Sequence, residues 1–120
     1  MVRLIILSVI AATNSADVDI TFPSIVPVAN GRASWYGDGN LHGNKTANGE
    51  SIEVGNFTCA HRTLAFHQMI LVETRRKRRV WCRVNDRGPF NSKIIDLARP
   101  VSQALGIDDT GDVILYQVSR

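Results

Sequence analysis

Val80-Trp81-Cys82-Arg83-Val84-Asn85-Asp86-Arg87-Gly88-Pro89-Phe90 decides how this chain is read. Its first half alternates, with Val80, Cys82 and Val84 on one side and Trp81, Arg83 and Asn85 on the other. That is the period of a half-buried strand. The alternation stops at Asp86, and Gly88-Pro89 turns the chain. A carboxylate therefore stands where a rigid strand opens into a loop, a common position for a catalytic group. The competing reading is a turn aspartate that bonds only the local backbone. On an ideal strand Arg83 lies on the face opposite Asp86.

The surrounding chain is one domain's worth of sequence, 120 residues with an ordinary apolar share and a net charge of +3. The mild basicity permits acidic partners such as cell-wall polymers without choosing among them. Met1-Val2-Arg3, the apolar run Leu4 to Ala12, and Thr13 to Ala16 read as a signal peptide over 1–16. The alternative is a buried N-terminal strand or helix. Residues 17–30 carry Pro23 and Pro27 and no periodicity, and read as a linker. Export fits the cysteine pair: Cys59 and Cys82 read as one disulfide between neighbouring strands, the alternative being two buried thiols. There is no second cysteine pair and His42, His61 and His67 lack ligand spacing, so no metal is expected; no other cofactor is expected either.

Short strands are expected at Gly31–Gly37, Phe57–Ala60, Met69–Thr74, Val80–Asn85, Ile94–Leu97 and Val113–Val118. Asp38–Gly55 reads as a long polar loop, and long loops tend to be functional. Arg75-Arg76-Lys77-Arg78-Arg79 reads as a solvated hairpin tip; no interleaved aromatic suggests nucleic-acid binding. The clearest helix spans Arg99 to Leu105, with Pro100 in its first turn, an apolar stripe of Val101, Ala104 and Leu105, and Gly106 at its end. Many short strands and little helix make a small, mainly β barrel.

Ala33-Ser34-Trp35-Tyr36-Gly37, Thr46-Ala47-Asn48-Gly49-Glu50, Ala60-His61-Arg62-Thr63-Leu64, Val84 to Phe90 and Ile95-Asp96-Leu97 together resemble the RlpA-like family of bacterial envelope proteins. The resemblance runs over nearly all of 31–120 and implies a six-stranded double-psi β-barrel with one or two short helices. It also implies a monomeric, periplasmic or secreted peptidoglycan lytic transglycosylase, with no membrane anchor after the leader is removed. In such a lyase the muramoyl 6-hydroxyl attacks the anomeric carbon, leaving a 1,6-anhydro end. Glu50, His61 and Asp86 match positions implicated in activity; Asp86 is the expected acid and base. The alternative acid is Glu50, with Asp86 holding Arg87. Trp35, Tyr36, Asn48, Arg62, Asn85, Arg87 and Asp96 are the expected substrate-binding positions, although Trp35 and Tyr36 suit a core equally well. The family's Pro-Phe-Gly is Ala65-Phe66-His67 here, a departure at a turn. Competing functions are an expansin-like module that binds wall polysaccharide without cutting it, and an inhibitor-type envelope protein.

Overall fold

The alternating stretch becomes β4 of a closed ring. A computed structural model describes residues 24–36, 44–52 and 56–119; the leader and residues 17–23 of the expected linker lie outside them. The strands are β1 (Ile25–Tyr36), β2 (Thr58–Ala60), β3 (Met69–Thr74), β4 (Arg79–Asp86), β5 (Ile95–Ala98) and β6 (Gly111–Val118), with helix α1 (Arg99–Leu105) between the last two. Their order around the barrel is β1-β5-β2-β4-β3-β6. Two neighbouring pairs, β1/β5 and β2/β4, run parallel and the rest antiparallel. This is the double-psi β-barrel, and closure leaves it no open sheet edge.

Alternation sorts each strand between the interior and the outer face. Ile70 and Val72 from β3, Cys82 and Val84 from β4, and Ile95 and Leu97 from β5 are fully buried inside. α1 closes one end of this core with Val101 and Leu105, whereas Ala104, expected in the same stripe, is exposed. Gly106 ends the helix at φ 76°, and the N–H groups of Gly106 and Ile107 satisfy the carbonyls of Gln103 and Ser102 at 3.1 and 2.8 Å. The disulfide links Cys59 on β2 to Cys82 on β4, with Cα atoms 5.9 Å apart and a sequence separation of 23.

Two expectations about the barrel need correction. The barrel begins at Ile25, not Gly31, because residues 25–30 pair with β6. Pro27 looked like a linker residue; it is tolerated because the β1–β6 register shifts between Pro27 and Ala29. The arginine run is more than a solvated tip: Arg75 pairs with Asp112 at 2.9 Å, Arg78 reaches the Ala104 carbonyl, and Arg79 pairs with the buried Glu73 at 2.7 Å. The histidine in the Ala65-Phe66-His67 turn takes a conformation that favours glycine. His67 sits at φ 72°, a strained region for an L side chain, while its N–H donates to the Val84 carbonyl at 2.7 Å. Its ring Nδ1 stands 3.4 Å from the Arg83 guanidinium.

Candidate active site

The site is created by a bulge. β2 and β4 pair Thr58 with Arg83 and Cys59 with Val84, and then Ala60 with Asp86, skipping Asn85. One extra residue on β4 resets the alternation. Asp86 is therefore turned away from the interior, where Val84 lies, and joins Arg83 on the outer face. This corrects the ideal-strand expectation that Arg83 and Asp86 face apart. Ala60 also pairs with Asp96 on β5, and Asp96 with Ser34 on β1. The barrel thus carries a row, Ser34–Asp96–Ala60–Asp86. Its two carboxylate residues stand two strand spacings apart, about 10 Å between Cα atoms, and only an alanine lies between them.

Asp86 is rigidly held on one side. Its Oδ1 accepts N–H bonds from Ala47 at 2.8 Å and from Arg87 at 2.9 Å. Its Oδ2 takes no hydrogen bond among the described residues, and the residue is partly exposed. Asp96 accepts a hydrogen bond from Ser34 Oγ at 3.0 Å. Burial pushes its carboxyl above the usual carboxylate range, the Ser34 bond opposes the rise, and the charge of Asp86 adds to it. Tyr36 lies beside this row, its hydroxyl 3.2 Å from Thr58 Oγ1. Burial is the main reason its phenol is pushed up to about 12, with Asp86 and Asp96 adding to the rise, so it stays a neutral donor.

Glu50 is committed elsewhere. The turn that carries it is closed by Thr46 Oγ1 donating to Asn48 Oδ1 at 2.6 Å and by Gly49 at φ 91°. Its carboxylate accepts from Asn85 Nδ2 at 3.1 Å and pairs with Arg83 at 3.0 Å. The Asn85 amide holds its carboxyl below the usual range, burial opposes this, and Arg83 reinforces it. An anion fixed in this way is a poor proton donor. Asn85 itself is 2 % exposed, with its Oδ1 unpartnered among the described residues. Asn48 shapes the turn: its Oδ1 also accepts from the Glu50 N–H at 3.1 Å.

The loop after β2 is locked by its own side chains. His61 Nδ1 accepts from the N–H groups of Thr63 and Leu64, both at 3.1 Å, so the ring proton belongs on Nε2. Burial, with help from Arg62 and Arg87, lowers the imidazole below its ordinary value. The backbone N–H of His61 donates to the Asp86 carbonyl at 3.2 Å, which ties the start of this loop to the end of β4. Arg87 does not pair with the Asp86 side chain; its guanidinium donates to the carbonyls of His61 and Leu64 at 3.1 and 2.8 Å and stacks 4.0 Å from Phe66. Arg62 donates to the carbonyls of Asn91 and Lys93.

Of the expected site residues, the fold brings Asp86, Asp96, Tyr36, Glu50, Asn85 and His61 to one region. It leaves Trp35 out: Trp35 pairs with the interior Leu97, donates to the Asp108 carbonyl at 2.8 Å and stacks 4.1 Å from Arg99. Arg62 and Arg87 are spent on backbone carbonyls. Ser34 and Ala60 lie within the stretches that carry the resemblance but were not singled out as site residues; a serine between apolar Ala33 and Trp35 was a further signal for the first. The hollows at the hairpin tip, lined by Thr74, Arg75 and Asp112, are separate from this row.

A family model described as lytic transglycolase matches residues 28–115. Among curated proteins, the chain is similar to an endolytic peptidoglycan transglycosylase RlpA of Neisseria meningitidis, 45% identical over 68% of this chain and 34% of that protein. It is also similar to a probable endolytic peptidoglycan transglycosylase RlpA of Synechocystis, 41% identical over 85% of this chain and 31% of that one. The chain thus spans about a third of the length of these relatives. Two solved structures share the fold at 18% identity. One is a Clavibacter michiganensis expansin in complex with cellohexaose, TM-score 0.57, over 76% of this chain and 50% of that one. The other is a Streptomyces papain inhibitor, TM-score 0.56, over 85% of this chain and all of that one.

Proposed function

The chain belongs to the RlpA-like lytic transglycosylase family, and from that premise we propose that it cleaves peptidoglycan glycan strands between MurNAc and GlcNAc in the bacterial envelope. Asp86 protonates the glycosidic oxygen as the bond to the anomeric carbon breaks. The muramoyl 6-hydroxyl then bonds to that carbon, and its proton passes to the Asp86 carboxylate, restoring the acid without consuming water. The observation that carries this reading is the β4 bulge, which sets Asp86 on the outer face with one oxygen anchored and the other open. Glu50 and Arg83 hold the adjoining turn, the His61 Nε2–H and the Tyr36 hydroxyl donate to sugar oxygens, and Asp96 accepts from a sugar hydroxyl. The test is incubation with peptide-free glycan strands followed by mass spectrometry. New 1,6-anhydro-muramoyl ends are expected; binding without them would indicate an expansin-like module instead.

Asp96 gives a pH prediction. Its carboxyl titrates above the ordinary value, so over the window between the unfolded and folded values the folded chain binds a proton that the unfolded chain has released. Folding stability therefore falls as pH rises through that window. Asp96→Asn removes this cost and keeps an acceptor for Ser34. The variant is expected to be more stable than the parent at neutral pH, with the gap closing under acid conditions, and to cleave glycan about tenfold more slowly. Urea titrations at several pH values check the first effect and product release the second. A stability gap that widens under acid conditions would contradict the burial argument.

A further inference from the structure

The outer face of the barrel carries a second feature on the same strand as Asp86. A register row runs Trp81–Leu71–Tyr116–Pro27 across β4, β3, β6 and β1. Trp81 is 39 % exposed and its neighbour Met69 42 %, while Leu71, packed between the two aromatic residues, is 5 % exposed. Tyr116 is fixed from below: its hydroxyl donates to Glu73 at 2.8 Å, and Glu73 is held by Arg79. The stripe is therefore a firm platform.

We propose that this stripe is a glycan-binding subsite that extends the cleavage site along β4. The inference rests on the reading of Asp86 as the centre of a glycan-cleaving site. Because the bulge puts Asp86 on the outer face, β4 presents Trp81, Arg83 and Asp86 on one side. Trp81 and Asp86 are five residues apart, one of them the extra residue of the bulge, so they stand about 13 Å apart along the strand, a span that a short oligosaccharide bridges. Sugar rings present apolar C–H faces that stack on indole, and hydroxyls that bond guanidinium and carboxylate groups. The layout also argues against other occupants. Arg79 and Arg83 flank Trp81 on the same face, so a membrane core or a second copy of this chain would have to bury two guanidinium groups. A glycan leaves them hydrated.

The test uses chain silenced by Asp86→Asn, so that binding is read without cleavage, and peptide-free glycan strands as the probe. Adding Trp81→Ala is expected to weaken binding about tenfold, and Trp81→Phe to restore most of it. The chain has two tryptophans, and Trp35 stacks on Arg99 away from this face. Glycan is therefore expected to shift tryptophan emission in the silenced chain and not in its Trp81→Phe version, a readout that holds even if the alanine variant folds poorly. Unchanged binding by the alanine variant, an emission shift that survives Trp81→Phe, or a parent chain that sediments as a dimer which Trp81→Ala dissociates would each overturn the subsite. If the silenced chain binds no glycan and the parent leaves no anhydro ends, the functional reading falls with it. Binding and cleavage that are indifferent to Trp81 would sink the subsite alone.

Discussion

Asp86→Asn is expected to lower release of anhydro-muramoyl products by about a hundredfold to ten-thousandfold, the usual span for losing a general acid–base group. The substitution is unusually clean here. The anchored oxygen, Oδ1, acts only as an acceptor, from the N–H groups of Ala47 and Arg87. An asparagine carbonyl keeps both bonds, so the Thr46–Glu50 turn and the end of β4 keep their positions, and the melting temperature should move by only a few degrees. What disappears is a carboxyl that can give up and recover a proton at the open oxygen. Glu50→Gln provides the contrast. Its carboxylate is tied to Arg83 and Asn85, so that variant should disturb the turn and weaken substrate binding more than it slows bond cleavage. If Asp86→Asn cleaves at the parental rate, the proton donor lies elsewhere, and Asp96, the carboxyl that burial pushes upward, is the next group to test.

How far this site could be read from sequence depends on how local each feature is. α1 was legible because Pro100 and Gly106 mark its ends within the segment itself. The alternation of β4 was legible up to Asn85 for the same reason. The face taken by Asp86 was not, because it follows from the pairing of β4 with β2, a contact between segments more than twenty residues apart. Pro27 misled in the same way: a proline with no periodic neighbours reads as a linker until a strand distant in sequence pairs beside it. Aromatic residues were legible as types but not as destinations. Trp35, one residue before Tyr36, takes the opposite face and braces the loop after α1 through Asp108. Trp81 drew attention only as part of the strand pattern, and its exposure depends on what β3 and β6 place beside it. His67 shows the converse, a non-glycine residue that takes a left-handed turn conformation that its residue type does not announce.

Removal of the disulfide by the double substitution Cys59→Ala and Cys82→Ala should lower stability by about 3 kcal/mol, the loss expected for a closed loop of this size. The same change should also reduce cleavage under conditions where the chain is still folded. Cys59 immediately precedes the register shift that pairs Ala60 with Asp86, and its bond to Cys82 pins β2 against β4 just before the bulge. β2 has only three residues with which to define its own register. Without the bond, a slip that restores regular alternation would pair Ala60 with Asn85 and turn Asp86 toward the interior beside Val84. Burying an unpartnered carboxylate opposes that slip, so the expected outcome is a mixed population. Urea denaturation gives the stability loss, and product release at a temperature well below the melting point gives the second effect. A double variant that loses stability but retains full activity would mean that the bulge is held by the Asp86 contacts to Ala47 and Arg87 alone.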